Sequence, residues 1–212
     1  MKDQRHTRRE YVSAPLRRAS LAADPLVQFQ QWFSDALEAD AEDVTAMALA
    51  TASSDAVPSV RIVLLKHFDE QGFCWYTDYR SQKGSDLADN PRAACLFHWR
   101  ELHRQVRIEG SVVKVDAADA SAYFASRPED SRFSAAASQQ SAPVDRRETL
   151  EARVAELRSR YADGAVPKPA DWGGYCLRPE VYEFWQGREG RLHDRFRFSR
   201  SDEGWNVERL QP

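Results

Sequence analysis

The sequence predicts a mainly β protein with added α-helices, arranged as an antiparallel barrel. Most of the chain consists of short strand-like segments that are separated by turn residues, with few helical segments between them. This pattern is typical of antiparallel barrels and sandwiches. No Gly-x-Gly-x-x-Gly motif opens a helix after a strand, so a dinucleotide-binding α/β fold is not expected. We predict a flexible N-terminal arm at residues 1–22 and a single domain at residues 23–212.

Composition narrows the possible partners and the compartment. The chain of 212 residues has a net charge of −3, whereas proteins that bind nucleic acids nonspecifically usually carry a positive surplus. No apolar run approaches the ~18 residues of a membrane span, and no signal peptide is evident. Cys74, Cys95 and Cys176 are an odd number without close pairing. We therefore predict a cytoplasmic protein without nucleic-acid, membrane or metal partners.

The first half of the chain predicts one helix, a series of strands and a second, short helix. Asp24 and Pro25 are typical of a helix start, and an apolar stripe follows at Leu26, Phe29, Phe33 and Leu37. Strands are predicted at AMALATA, PSVRIVLLKHF, FCWYT, RAACLFHW and RQVRIEGSVVKV, and the short helix at SQKGSDLADNP. In the second of these strands we expect Val60, Ile62 and Leu64 on one side of a buried strand.

The second half predicts two helices and a C-terminal set of strands. The helices lie near AADASAYFASRP and at VDRRETLEARVAELRSRYADG, where Gly164 follows the helix end. Residues 131–144 are rich in Ser, Ala and Gln, and we expect them to be irregular. Strands are predicted at about 175–186, 191–199 and 204–210.

Three polar clusters in the predicted barrel suggest a small anionic ligand. Arg61 and Lys66 flank a strand, and Lys83 lies where the next helix begins, which favours anion binding. Tyr123 and Arg127 are one helical turn apart, and Ser131 follows them. Each cluster alone is also compatible with a solvated turn or helix end. Their combination in a chain with a small negative net charge favours a compact anion over a polyanion.

The stretch VYEFWQGREGRLHDRFRF carries more polar groups than a hairpin requires. If residues 191–193 are part of a strand, Arg191 and His193 project to the same face. Both would then contact one ligand, His193 either by positioning an oxygen or by accepting a proton. The alternative is that Asp194 pairs with Arg191 or Arg195 and that His193 only fills the turn.

These motifs resemble the pyridoxine/pyridoxamine 5′-phosphate oxidase family. EFWQG followed by RLHDR carries the likeness most strongly, and RREY, RIVLLK, RQV, YFASRP and QS occur in the expected order. The resemblance implies an FMN-binding split β-barrel, a homodimer with FMN at the subunit interface, and oxidation of pyridoxine or pyridoxamine 5′-phosphate to pyridoxal 5′-phosphate, with O2 as acceptor and release of H2O2.

The resemblance also implies site residues. The cofactor positions are Arg61, Ile62, Val63, Leu64, Leu65, Lys66, Tyr76, Thr77, Gln82, Lys83, Gln105, Gln140, Ser141, Trp185 and Arg195. The substrate positions are Arg8, Arg9, Glu10, Tyr11, Lys66, Tyr123, Arg127, Ser131, Arg191, Leu192 and His193, of which Arg191 and His193 are the expected catalytic residues.

Two departures and three alternatives accompany this hypothesis. The chain has Gln82 where the family often has arginine, and Ser134, Ala135 and Ala136 replace a Gly-Ala-Trp run. One phosphate contact and the loop before Gln140 are therefore expected to differ. The alternatives are a related flavin oxidase acting on another ring such as a phenazine precursor, a non-catalytic flavin or pyridoxal phosphate module, and a nucleic-acid-binding barrel.

Overall fold

A computed structural model of the chain describes residues 11, 13–39 and 41–212. The helices are α1 (Pro25–Glu38), α2 (Gln82–Asp89), α3 (Ala117–Ser126), α4 (Glu129–Ala137) and α5 (Arg147–Arg160), with short 3-10 turns at Arg18–Ser20 and Glu189–Arg191. The strands are β1 (Ala46–Ala52), β2 (Pro58–Leu64), β3 (His67–Asp69), β4 (Gly72–Asp78), β5 (Arg92–Trp99), β6 (Arg104–Lys114), β7 (Trp172–Gln186), β8 (Asp194–Ser201) and β9 (Gly204–Leu210).

All nine strands belong to one antiparallel sheet, which confirms the predicted fold class. The order is β2-β1-β5-β6-β7-β4-β3, and β8 and β9 continue from the second half of β7. The long strand β7 therefore contacts β4 with its first half, β8 with its second half, and β6 along its length. A register shift at Glu109/Gly110 bends β6 here, and a Cβ on Gly110 would lie 1.9 Å from the Arg178 carbonyl oxygen. Branching at β7 gives a curled half-barrel.

Helix α1 fills the concave side of the sheet. Asp24 caps it by accepting a hydrogen bond from the Leu26 N–H at 2.7 Å, as predicted. Phe29 is completely buried and packs edge-on against Phe73 and Phe97. Leu37, which we expected in the apolar stripe, is 57% exposed. The buried face instead consists of Phe29, Trp32 and Ala36, which are spaced three and four residues apart as expected for one side of a helix.

The expectation that β2 is a buried strand is wrong. It lies at the edge of the sheet, and Val60 and Ile62 are 69% and 65% exposed. Cross-strand pairing places Ile62 beside Ala48, Ala48 beside Leu96, and Leu96 beside Arg107, so these residues share one face of the sheet. We refer to this as the outer face. It is apolar at β2 and becomes polar towards β6, β7 and β8.

The irregular segment predicted at residues 131–144 is also only partly correct. Residues up to Ala137 belong to α4, and only those after it have no regular structure. Ser-rich composition suggested a loop, but alanine has the highest helix propensity, and Phe133 anchors the helix in a buried position with 1% exposure. The face of α5 that carries Leu150, Val154 and Leu157 is half-buried, and this helix packs against α4.

Two smaller expectations are corrected in the C-terminal half. Arg191 is not in a strand, because it ends the 3-10 turn with φ of 62°, and β8 begins only at Asp194. Cys74 and Cys176, expected to have no close partner, are direct neighbours across β4 and β7, with Sγ atoms 2.7 Å apart. Their proximity arises from the sheet register, which the distance of the two residues in the sequence does not reveal.

Candidate active site

A large cavity lies between the ends of β2 and β4, the start of α2, and the helices α3 and α4. Its volume is about 760 Å³. The lining residues include most of the predicted cofactor and substrate positions, namely Arg61, Ile62, Val63, Leu64, Lys66, Tyr76, Thr77, Gln82, Lys83, Tyr123, Arg127, Ser131, Gln140 and Ser141. The chain therefore brings fourteen residues of separate motifs to one place. We refer to this space as the main cavity.

Lys83 is a buried cation at one end of the main cavity. It is 6% exposed, and its Nζ donates to Gln140 Oε1 at 2.7 Å, to Thr77 Oγ1 at 3.2 Å and to Ser81 Oγ at 3.3 Å. All three partners are neutral. Burial, together with the nearby Arg61 guanidinium, lowers the pKa of Lys83 to about 8. An anion at this position would neutralise a charge that the described residues leave without a carboxylate partner.

Arg127 provides a second cation in the main cavity. Its guanidinium lies over the Trp172 ring at 5.0 Å, and its Nη1 is buried without a hydrogen-bond partner among the described residues. Tyr76 stacks on Tyr123 at a ring distance of 4.0 Å and on Trp172 at 5.5 Å, which gives this side of the cavity an aromatic wall. A buried donor without a partner is costly, so a ligand oxygen at Arg127 would be strongly favoured.

Arg61 reaches the main cavity from the edge strand β2. Its Nη1 donates to Thr51 Oγ1 at 2.7 Å, and its Nη2 donates to the hydroxyl of Ser59. The Nη2 atom also lies 3.7 Å from Oδ2 of the buried Asp86. Burial lowers the pKa of Arg61, and Asp86 opposes this effect. Arg61 is therefore the cavity cation whose charge is partly compensated.

The first residues of α2 form the floor of this end of the cavity. Ser81 caps the helix by accepting from the Gly84 N–H, and the Gln82 N–H donates to Ser141 Oγ at 3.3 Å. The Gln82 side chain donates through Nε2 to Asp86 Oδ1 at 2.8 Å. The side-chain amide of Gln82 thus donates to the buried Asp86. The sequence hypothesis expected one phosphate contact to differ at this position, because Gln82 is neutral where the family often has an arginine.

A second cavity of about 290 Å³ lies on the outer face of the sheet. It is lined by Leu96, Gln105, Arg107, Glu183, Trp185 and Arg195. Glu183 is 5% exposed and accepts from Arg195 Nε at 2.8 Å and from Arg107 Nη2 at 2.8 Å. Gln105, Trp185 and Arg195 are cross-strand neighbours on β6, β7 and β8. These three predicted cofactor residues thus lie together, but in a cavity other than the main one.

His193 lies in the turn between β7 and β8, next to the second cavity. Its Nδ1 accepts from the Arg188 N–H at 3.1 Å, and its ring lies 4.6 Å from that of Trp185. Burial, together with the adjacent Arg191, lowers the pKa of His193. A neutral imidazole that accepts at Nδ1 carries its proton on Nε2. This arrangement favours His193 as a donor to a ligand oxygen over His193 as a proton acceptor.

Tyr11 connects the N-terminal segment to this turn. Its ring packs edge-on against His193 at 5.7 Å, Trp185 at 5.8 Å and His103 at 4.9 Å. The adjoining segment is also attached, because the Leu16 N–H donates to Asp194 Oδ2 at 3.1 Å. The other predicted substrate residues of this segment, Arg8, Arg9 and Glu10, lie outside the described residues.

Several placements differ from the sequence hypothesis. Leu65 is 4% exposed and belongs to the hydrophobic core, so its side chain does not line the main cavity. Leu192 and His193 line a third cavity with Arg209 and the C-terminal residues, whereas Arg191 lines none of the three cavities described here. The turn around Arg191 separates the two residues that a strand would have placed on one face.

Sequence reasoning missed three residues that organise these cavities. Trp172 lies before the strand predicted at about 175–186 and was not among the predicted site residues, although it stacks on two tyrosines of the main cavity. A tryptophan directly before Gly173 and Gly174 was the available signal, since glycines permit close approach of neighbouring rings. Asp86 and Glu183 gave no signal, because their burial follows only from the packing of distant segments.

Comparison with known proteins identifies the family. Residues 33–161 match the family model described as pyridoxamine 5′-phosphate oxidase. Residues 172–212 match that of the pyridoxine 5′-phosphate oxidase C-terminal dimerisation region. The chain belongs to the pyridoxamine 5′-phosphate oxidase family. The second match covers β7, β8 and β9, which carry Trp185, His193 and Arg195.

Curated members of the pyridoxamine 5′-phosphate oxidase family resemble the whole chain. The pyridoxine/pyridoxamine 5′-phosphate oxidase of Rubrobacter xylanophilus is 51% identical over 205 residues, covering 97% of this chain and 94% of the relative. That of Ralstonia pickettii is 53% identical over 206 residues, covering 97% of each. The family resemblance inferred from the motifs is therefore confirmed, and the chain is an oxidoreductase of this family.

Solved structures support the same fold. The PhzG protein of Burkholderia lata, in complex with tetrahydrophenazine-1-carboxylic acid, has a TM-score of 0.89 at 31% identity and covers 94% of this chain and 99% of its own. A pyridoxamine 5′-phosphate oxidase-related, FMN-binding protein of Nostoc punctiforme has a TM-score of 0.70 at 17% identity, covering 91% and 100%. The predicted split barrel is confirmed. In the described part of the chain, no helix has the length and apolar character needed to cross a membrane.

Proposed function

We propose that the chain oxidises pyridoxine 5′-phosphate or pyridoxamine 5′-phosphate to pyridoxal 5′-phosphate with FMN as cofactor. Dioxygen is the final acceptor and is reduced to H2O2; the amine substrate also takes up water and releases ammonia. The names of the curated relatives support the substrate class. FMN is supported by the fold and by the phosphate-binding character of the main cavity, with Lys83 and Arg61 at its end.

One observation carries the proposal: the main cavity has cations at two places, Lys83 with Arg61 at one and Arg127 at the other, and each place suits one phosphate. Lys83 and Arg61 approach from α2 and β2, and Arg127 approaches from the end of α3 with Tyr123 and Ser131. Within the described residues, Lys66, Lys83 and Arg127 form no ion pair with a carboxylate. Both FMN and the substrate carry a phosphate, and each would receive charge-assisted hydrogen bonds here.

We further propose that the complete site requires two chains. The second cavity lies on the outer face, which at β2 exposes Val60, Ile62 and Leu64. Pairing of two copies through the outer face would cover these residues and would place Gln105, Trp185 and Arg195 of one copy near the main cavity of the other. The match of residues 172–212 to a dimerisation region supports this arrangement.

The residues of the chain would divide the work between binding and orientation. FMN supplies the acceptor of the two electrons when it is bound. Arg127, Tyr123 and Ser131 hold the substrate phosphate, and the Nε2–H of His193 donates to a substrate oxygen. The cavity's aromatic wall of Tyr76, Tyr123 and Trp172 excludes water from one side. Orientation of this kind is an important source of rate enhancement.

The alternative activity on a phenazine precursor is favoured by the likeness to PhzG, whose solved complex contains tetrahydrophenazine-1-carboxylic acid. The Arg127 cluster argues against it as the main activity. Tetrahydrophenazine-1-carboxylic acid has no phosphate, so it has no need for a second cationic position at Arg127 beside that of Lys83 and Arg61.

The experiment compares three candidate substrates on the purified protein. We expect a yellow, FMN-loaded protein that releases H2O2 with pyridoxine 5′-phosphate, and far less with pyridoxine or tetrahydrophenazine-1-carboxylic acid. Equal rates with pyridoxine and its phosphate would contradict the role of the Arg127 cluster. A yellow protein without turnover on any of the three would favour a non-catalytic flavin module.

The two-chain proposal has its own test, which uses Val60→Asp as the variant, because Val60 is 69% exposed on the outer face and does not line the main cavity. A charge on the outer face should favour monomers, because a buried unpaired carboxylate is costly, and FMN content should fall with the dimer. Asp55→Asn in the exposed β1–β2 turn serves as a control that should change neither. A monomer that retains FMN at wild-type affinity would rule out the interface site.

A further inference from the structure

The buried carboxylate of Asp86 touches two residues of the main cavity without lining it. Asp86 lies on the inner face of α2 and is 2% exposed. Its Oδ2 accepts from Thr51 Oγ1 at 2.6 Å and from Ser59 Oγ at 3.2 Å, and its Oδ1 accepts from Gln82 Nε2 at 2.8 Å. One carboxylate thus connects β1, β2 and α2 immediately behind the cavity.

The direction of these hydrogen bonds explains where Arg61 is held. A hydroxyl has one proton, and the Thr51 and Ser59 hydroxyls both donate theirs to Asp86. Their lone pairs are then available to accept, and both accept from Arg61: Thr51 from Nη1 and Ser59 from Nη2. Without the carboxylate, neither hydroxyl would be constrained to present a lone pair to the guanidinium.

Electrostatics acts in the same direction. Burial alone raises the pKa of Asp86, but hydrogen bonds from Thr51, Gln82 and Ser59 together with the Arg61 charge outweigh it and hold the pKa below its usual value. Asp86 is therefore ionised at neutral pH. Because Arg61 also lowers the pKa of Lys83, a displaced Arg61 would alter the charge distribution around Lys83 as well.

We propose that Asp86 is a positioning residue, which fixes Arg61 and Gln82 at the end of the main cavity that takes the FMN phosphate. This inference rests on the proposed function, since the ligand is the cofactor assigned there. Asp86 contacts neither the cofactor nor the substrate. It acts through the Thr51 and Ser59 hydroxyls on the guanidinium, and directly on the Gln82 amide.

A positioning role and a simple charge effect predict opposite results. Removing a negative charge near a phosphate should strengthen binding of the anion if charge alone matters. Removing the group that holds Arg61 in place should weaken it. A merely structural role of Asp86 predicts a third result, an equal loss of affinity for ligands with and without a phosphate.

The test measures dissociation constants for FMN and riboflavin on the apoprotein of Asp86→Asn by quenching of flavin fluorescence. We expect affinity for FMN to fall about tenfold, the loss of roughly one charge-assisted hydrogen bond, and affinity for riboflavin to stay near that of the wild type. Asp89→Asn is the matched control, because Asp89 is an exposed residue of the same helix. This control should change neither constant.

Thr51→Val tests the same inference if Asp86→Asn folds poorly. It removes one of the two hydroxyls and should reduce the preference for FMN over riboflavin, whereas Thr51→Ser should restore it. An unchanged or increased FMN preference in Asp86→Asn, or in Thr51→Val, overturns the inference, as does an equal loss for both flavins. Equal affinity of the wild-type protein for the two flavins would instead contradict the proposed function and its phosphate site.

Discussion

The main cavity and the hairpin of β7 and β8 both contain several cationic side chains. Those around Glu183 and Asp194 in the hairpin are paired with these carboxylates, whereas most of those in the main cavity have no carboxylate partner among the described residues. In the hairpin, Glu183 pairs with Arg195 and Arg107, and Asp194 pairs with Arg209 and lies 3.5 Å from Arg188 Nε. In the main cavity, Lys83 donates hydrogen bonds only to neutral oxygens of the described residues, and Arg127 has a buried donor without a partner in that part of the chain.

Paired and unpaired cations have different effects on the protein. A cation that is neutralised by its own fold contributes to shape, because the pair fixes the side chains that it joins. A buried cation without a partner lowers stability, and this cost is recovered when an anion binds. Arg61 is intermediate, because Asp86 compensates its charge only partly, at 3.7 Å. Variants in the two regions should therefore affect different measurements.

The largest effect on stability should come from Glu183→Gln. Loss of this carboxylate leaves Arg195 without its ion pair and Arg107 with only the exposed Glu109, and breaking a buried pair costs about 3–5 kcal/mol. Both arginines are partly exposed, so we expect a value near the lower end. Thermal unfolding should show a Tm lowered by at least ~6 °C, given roughly 2–4 °C per kcal/mol for a domain of this size.

Glu109→Gln is the control for that prediction. Glu109 pairs with the same Arg107 at 2.8 Å, but its side chain is 43% exposed. Exposed pairs contribute about 0–1 kcal/mol, so Tm should change by only a few degrees. If Tm fell by similar amounts in Glu183→Gln and Glu109→Gln, the prediction that the buried carboxylate contributes more to stability than the exposed one would be wrong.

The next largest effect is expected for Lys83→Met, and it should appear in binding rather than in stability. Affinity for FMN should fall by roughly 10- to 150-fold, corresponding to about 1.5–3 kcal/mol for a charge-assisted hydrogen bond. The Tm of the apoprotein should stay the same or rise, because a buried charge without a counterion is removed. Lys114→Met, outside the lining of the main cavity, is the control. A strongly destabilised apoprotein would mean that Lys83 belongs to the fold.

Arg127→Ala should affect the substrate and leave the cofactor bound. KM for pyridoxine 5′-phosphate should rise about tenfold or more, since hydrogen bonds to charged groups contribute about 1.5–3 kcal/mol, while FMN content stays near normal. Arg127→Lys, which keeps the charge, should lose less. If FMN is lost in Arg127→Ala, the residue belongs to the cofactor end of the cavity.

The smallest effect concerns pH. Because burial and Arg61 lower the pKa of Lys83 to about 8, the amine is charged below that pH and loses its proton above it. FMN affinity should therefore decline a few-fold as pH rises from 7 to 9, whereas riboflavin affinity should not. The decline should be absent in Lys83→Met. A phosphate is already a dianion in this range, so its own titration does not produce the effect.

The strands and the residues near their ends were the most predictable features of the molecule. Alternation of apolar and polar residues located β1, β5 and β6, and the Asp24-Pro25 pair located the start of α1. Arg61, Lys83 and Arg127 were proposed as anion-binding residues from their places in a strand, at a helix start and at a helix end, and all three line the main cavity. The resemblance then assigned them to a cofactor and a substrate, which residue patterns alone do not distinguish.

The remaining features depended on contacts between distant segments. The exposed side of β2 resembles a core strand in sequence, because Val60, Ile62 and Leu64 are all apolar; the proposed pairing with another copy would account for this composition. The turn at Arg191 was read as strand because alternation continues into Phe196 and Phe198, and nothing local indicates its positive φ. Asp86 looks like an ordinary polar residue of a short helix until β1 and β2 are placed behind it.

The register of the hairpin formed by β1 and β2 decides which side chains of β2 lie at the main cavity and which lie on the outer face. The residues of β2 alternate between Arg61, directed to Asp86 and the main cavity, and Ile62, directed to the outer face. Pairing with β1 is set at the turn after Ala52, where Ala52 opposes Pro58. A slip of one residue would exchange the two sides, so that the Arg61 guanidinium would leave Asp86 and lie on the apolar outer face. Although the turn between β1 and β2 is exposed, insertions in it should preserve the position of Arg61 only when Ala52 still pairs with Pro58.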